Sequence, residues 1–144
     1  MSAQFDLSSV YRQSLTKASR GIAIVDNAYV VVQDELETSP VEATVRWTLL
    51  TPANVKLTGT NRVELTKDGK VLTIQVTEPA QIDFKTWPTV PVHEYDAPNP
   101  GTTLVGFDVK IPANTKSVIR VILMPGSPAS QKKQAPKPLA QWPR

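Results

Sequence analysis

The chain has 144 residues, 40% of them hydrophobic and 20% charged, with a net charge of +3 and no cysteine. That is ordinary composition for one globular domain, and it excludes disulfides and thiolate chemistry. No run approaches the roughly 18 apolar residues that cross a membrane as a helix, and no basic start followed by an apolar segment marks a signal peptide.

Met1-Ser2-Ala3 leads directly into polar sequence, as expected of an internal piece of a longer chain. Through Asp108 there are nine Lys/Arg against thirteen Asp/Glu; after it there are seven Lys/Arg and no acid. This fits either a basic edge for an anionic partner, such as an acidic glycan or nucleic acid, or a solvated strand end with a basic tail.

Residues 5–20 alternate poorly. They read as a strand paired with the segment that follows, or as a short helix over 7–15 with Leu7, Tyr11 and Leu15 on one face. The organising stretch is GIAIVDNAYVVVQDELE, residues 21–37. Its two apolar, β-branched runs flank Asp26-Asn27, residues that tolerate the positive φ of a tight hairpin turn. Val30-Val31-Val32 has no polar break, which predicts a strand covered on both faces.

Pro40 ends pairing after that hairpin. Residues 41–50 then alternate, with Val41, Ala43, Val45, Trp47 and Leu49 on one face, which predicts a half-buried strand with Trp47 in the core. A short strand over 55–57 follows. Residues 62–67 and 71–76 form a hairpin through Asp68-Gly69, among the strongest short-range hairpin signals. Residues 81–86 turn Ile82 and Phe84 inward. Four prolines in residues 86–101 forbid regular pairing across that stretch and make it the one long loop. Residues 104–111 bring Val105, Phe107, Val109 and Ile111 to one face, and 117–124, apolar except for Arg120, read as an interior strand. The predicted architecture is an all-β antiparallel sandwich of about ten short strands. It spans residues 1–127, with 1–20 as a lead-in, and a Pro/Lys-rich tail over 128–144 has Trp142 as its anchor.

Residues that carry chemistry are few. A lone His93 and no cysteine cannot build a His/Cys metal site. His93, Glu94, Asp96 and Asp108 supply groups for a cation site, but their spacing matches no calcium loop. No G-x-S-x-G elbow accompanies the serines, and no glycine-rich phosphate loop occurs. What remains is an aromatic platform of Trp87, His93 and Tyr95, with Asp96 beside it, as a candidate carbohydrate-binding site. Exposed rings stack on sugar faces while carboxylates take the hydroxyls; the alternative is that Trp87 and Tyr95 plug the open end of the sandwich. No catalytic residue, metal or cofactor is predicted.

RGIAIVDNAYVVVQDELE (residues 20–37), preceded by DLSSVY (6–11) and followed by VRWTLLT (45–51), ELTKDGKVLTI (64–74) and SVIRVILMP (117–125), resembles the β-rich C-terminal portion of heparinase II/III-type polysaccharide lyases. The likeness spans about residues 6–125. Such enzymes join a helical toroid to antiparallel β layers and cleave uronate-containing glycosaminoglycans by β-elimination, in a cleft formed largely with the toroid. This chain has no toroid and no paired histidines, so the resemblance carries no catalytic residue over. It implies a non-catalytic accessory domain that packs against the catalytic helical domain of the same parent chain and borders its glycan cleft. An exposed apolar patch of roughly several hundred Å² should mark the docking face. An acidic polysaccharide is the further partner implied, with no nucleic acid and no membrane, in a periplasmic or extracellular setting. The alternative is a free-standing Ig-like carbohydrate-binding or adhesion module. A third reading, that the fragment is itself a lyase, would draw base and acid from His93 or Tyr95 and a carboxylate neutraliser from Arg46 or Lys85.

Overall fold

The structure, a computed structural model, describes residues 1–130 and 135–143. Ten strands run in chain order: β1 (Ser2–Asp6), β2 (Leu15–Val25), β3 (Tyr29–Thr38), β4 (Ala43–Thr51), β5 (Asn54–Gly59), β6 (Arg62–Lys67), β7 (Lys70–Glu78), β8 (Lys85–Pro88), β9 (Thr103–Ile111) and β10 (Lys116–Pro125). They form a seven-stranded sheet in the order β1-β2-β3-β10-β7-β6-β5 and a three-stranded sheet in the order β4-β9-β8. Every pairing is antiparallel, and the two sheets make the expected sandwich. No helix among the described residues is long and apolar enough to cross a membrane.

Both predicted hairpins are present. Asp26 and Asn27 take φ of 52° and 53° between β2 and β3, and Asp68 and Gly69 take 51° and 72° between β6 and β7. β10 lies between β3 and β7, which accounts for its near-continuous apolar run. The core fills the space between the sheets. Val63, Ile74, Val76, Ile119 and Val121 face it from the large sheet, and Trp47, Val105, Phe107 and Ile111 from the small one. Phe107 stacks on Trp47 with ring centroids 5.7 Å apart and meets Phe84 edge-on at 5.5 Å. Ile82 and Phe84 are buried, as expected, although only residues from Lys85 onward enter a strand.

Three local expectations are corrected. Residues 7–14 are neither strand nor helix but two successive turns, in which the Leu7 carbonyl accepts from the Val10 and Tyr11 amides and the Tyr11 carbonyl from those of Ser14 and Leu15. Asp6 helps start this break by accepting the Ser8 N–H at 2.9 Å. Val41 lies before β4 and is exposed, because pairing with β9 begins at Ala43 opposite Ile111. The proline-rich stretch pairs at its start, where Thr86, Trp87 and Pro88 lie opposite Val105, Leu104 and Thr103; β8 is an edge strand, where a missing N–H is tolerated.

The C-terminal segment lies across the outer face of the large sheet. Leu139, at the start of a short 3-10 turn (Leu139–Gln141), is buried, and Trp142 packs against Val31, Ile122 and Met124. The strap is held by polar groups of β1 and β3. Gln33 donates to the Lys137 carbonyl at 2.8 Å, the Leu139 N–H donates to Glu35 at 2.6 Å, and Gln4 donates to the Leu139 carbonyl at 2.9 Å. Gly21 makes room for it, since a Cβ there would come within 2.3 Å of a Leu139 methyl and 3.1 Å of the Trp142 ring. β3 is thus covered on both faces, with Val32 against the central core and Val31 under Trp142. The anchor expected at Trp142 is there, but Leu139 is the more deeply buried of the two. Residues 131–134 and 144, part of the predicted tail, lie outside the described residues.

Candidate functional site

The candidate residues belong to the small sheet and to the loop that leaves it. Alternation puts Arg46 of β4, Asp108 and Gly106 of β9, and Lys85 and Trp87 of β8 on the outer face of that sheet. Arg46 pairs directly opposite Asp108 and donates from Nε and Nη2 to the two carboxylate oxygens at 2.7 and 3.2 Å. Its guanidinium also lies 4.4 Å from the centroid of the Trp87 ring, a cation–π contact. Trp87 is half-buried, and one face of its ring is occupied by this arginine.

The Arg46 hydrogen bonds, with Lys85 adding attraction, hold the Asp108 carboxyl below the usual carboxylate range. A group whose folded-state pKa is depressed contributes its stability above the unfolded value and loses it as pH falls through the folded one. Asp108→Asn should therefore flatten the acid limb of the stability profile and leave stability near neutral pH slightly lower, read as urea midpoints across the acid range.

Residues 89–102 form the loop. Its neck is closed by Thr89, whose hydroxyl donates to the carbonyls of Asn99 at 3.0 Å and Thr102 at 3.1 Å. At its tip the Asp96 carboxylate accepts the Val92 and His93 backbone N–H groups at 3.2 and 3.0 Å. His93 and Tyr95 stack with ring centroids 4.9 Å apart and 15° between planes. Tyr95 is 84% exposed, so it plugs nothing. The structure brings His93, Tyr95 and Asp96 together, while Trp87 is partnered by Arg46 on the sheet below. The carboxylates do not gather into a cation site: Asp108 is held by Arg46, and no group of three or more metal-ligating side chains occurs among the described residues.

Two further features were not anticipated. Arg20 of β2 and Asp34 of β3 pair directly opposite each other, with Nε and Nη2 donating to the two carboxylate oxygens at 2.6 and 2.8 Å. Asp34 is 6% exposed. The pair lines a cavity of about 190 Å³ between the sheets, beside Tyr11, Ser14 and Trp47. A basic and an acidic residue on facing strands carry no mark in one-dimensional sequence that they will meet. The second is an uncovered part of the inner face. Phe5, Ile22 and Ile24 lie on the side to which Arg20 and Val32 point, yet all three are exposed. The small sheet does not reach the β1–β2 edge.

No protein-family model matches the chain, and no curated protein matches it in sequence. Solved structures do match in fold. A mutant form of the heparan sulfate lyase HepC from Pedobacter heparinus superposes with a TM-score of 0.64 at 18% identity, covering 94% of this chain and 21% of that one. Two heparinase III structures give TM-scores of 0.59 and 0.58 at 16% and 21% identity, covering 78% and 76% of this chain and 18% and 17% of theirs. The chain spans about a fifth of the length of the solved lyases it matches. At these identities the likeness is one of fold: this ten-stranded sandwich has the fold of a segment of the heparinase III-type lyases.

Proposed function

We propose that the chain is a non-catalytic accessory β-sandwich domain of a heparinase-like polysaccharide lyase, packed against the catalytic helical domain of the same parent chain and bordering its glycan cleft. The observation that carries this reading is the fold likeness over nearly the whole chain to only about a fifth of each lyase. The bare inner face at Phe5, Ile22 and Ile24 supports it as the docking surface, because exposed apolar side chains grouped on one sheet edge mark a contact with another surface. A parent of this kind acts on an acidic polysaccharide, in the periplasm or outside the cell.

The distribution of polar groups also supports a non-catalytic role. β-Elimination needs a base, an acid and a group that neutralises the uronate carboxylate. Arg46 is engaged by Asp108 and Trp87, and the exposed His93–Tyr95 pair stands on a loop tip rather than in a concavity. The test is the ultraviolet absorbance of unsaturated uronate product from concentrated chain on heparan sulfate, chondroitin sulfate and alginate. The expected result is no rise above the blank. A rise abolished by Tyr95→Phe or His93→Ala would make the loop an active site and overturn the proposal.

The stacked and exposed His93–Tyr95 pair favours a second reading, a free-standing carbohydrate-binding module. Saturable glycan binding lost in Tyr95→Ala at an unchanged melting temperature would establish it.

A further inference from the structure

A separate feature, on the opposite face of the molecule, goes beyond that reading. Between the C-terminal strap and the outer face of the large sheet lies a cleft of about 530 Å³, within the size range of small-ligand sites. Val25, Tyr29 and Val31 contribute to its apolar and aromatic floor, and Trp142 stands in its wall. Gln33 and Arg120, directly opposite each other on β3 and β10, also line it.

Arg120 is unlike Arg20, another half-buried arginine. Arg20 has a bidentate carboxylate partner, whereas Arg120 forms no ion pair among the described residues. Among the described residues its guanidinium makes a single long hydrogen bond, from Nη1 to the Thr77 hydroxyl at 3.4 Å. Five N–H donors on a partly desolvated, permanently charged group call for an acceptor. Desolvation pushes its pKa down from the usual arginine value, with Tyr29 and Glu78 acting the other way. Gln33 is 1% exposed, and its Nε2 is committed to the strap while its Oε1 has no hydrogen-bond partner among the described residues. The cleft therefore combines an apolar, aromatic body with a guanidinium that has no ion pair among the described residues, Glu78 lying directly opposite it on β7, and a buried acceptor beside it.

We propose that this cleft binds a small carboxylate built on an apolar ring, with the ring against Val25, Tyr29 and Trp142 and the carboxylate on Arg120. A planar carboxylate matches the guanidinium fork, which makes it the preferred head group. The strap closes the cleft, so ligand and strap support one another.

Calorimetric titration of the full chain with 4-hydroxybenzoate, and with neutral 4-hydroxybenzamide of the same shape, tests this. Saturable binding of the carboxylate is expected, with the amide weaker by about tenfold or more. Arg120→Gln should bring the carboxylate down to the affinity of the amide without changing the amide's own. Trp142→Ala, a change on the surface strap, should weaken both probes and serves as the second variant if Arg120→Gln fails to fold. Equal affinity for the two probes, full carboxylate affinity in Arg120→Gln, undiminished binding in Trp142→Ala, or no binding at millimolar concentration would each overturn the proposal.

Discussion

Gly106→Ala is expected to destabilise the domain by about 3 kcal/mol or more, the upper end for a single added methyl group. The effect comes from backbone, not from side-chain crowding. A Cβ at Gly106 would lie 1.9 Å from the Trp47 carbonyl oxygen and 3.0 Å from the Trp47 carbonyl carbon and the Thr48 Cα. A flexible side chain could swing away from such a contact, but a strand backbone moves only by dragging its ladder along. The strand concerned is β4, paired to β9 from Ala43 to Thr51 without interruption. Its shift would displace the Trp47 ring from Phe107 and the Arg46 guanidinium from Asp108. Urea unfolding should show a lower midpoint, and near-ultraviolet circular dichroism a weakened aromatic signal. A midpoint within experimental error of the parent would mean that β4 tolerates the displacement.

Phe107→Ala should cost about 3–5 kcal/mol, the range for removing a buried aromatic ring. Phe107 is 0% exposed and sits where three parts of the molecule meet: Trp47 stacks on it from the neighbouring strand and Phe84 abuts it from the approach to β8. The surrounding side chains come from two sheets held by independent hydrogen-bond ladders, so the space cannot close by moving one element. Phe107→Leu restores most of the volume but neither ring contact, and should recover more than half of the loss. The comparison of midpoints for the two variants separates volume from aromatic geometry.

The parts of this fold that could be read from sequence are those specified locally. Asp26-Asn27 and Asp68-Gly69 announce hairpins because the turn itself demands residues that accept positive φ. The alternation of β4 and β9 announces which residues are inside, and the run of β10, apolar from Val118 to Met124 except for Arg120, announces a central position. Residues 7–14 were misread because two short turns can be made by a segment with no glycine or proline, once Asp6 caps the first of them. Of the candidate site, Tyr95 was recognisable as an aromatic in a proline-rich loop; its stacking on His93 depends on the turn closed by the Asp96 N–H on the His93 carbonyl. Trp87 was not separable from that group in sequence, because its partner Arg46 lies three strands of chain away and is brought near only by the sheet order β4-β9-β8. Nothing local in the sequence marks Gln33 or Glu35. Their role as receptors for the strap depends on residues more than a hundred positions later.

The strap also fixes how the domain responds to tension. Ser2 donates to the Pro143 carbonyl and Gln4 to that of Leu139, so the first strand and the last described residues lie side by side at one edge of the large sheet. A pull applied between residues 2 and 143 therefore loads those few contacts and not the length of the sandwich. The strap and β1 would peel away one bond at a time, at low force, while the two-sheet core carried none of the load. Under stretch the ends thus act as a mechanical fuse.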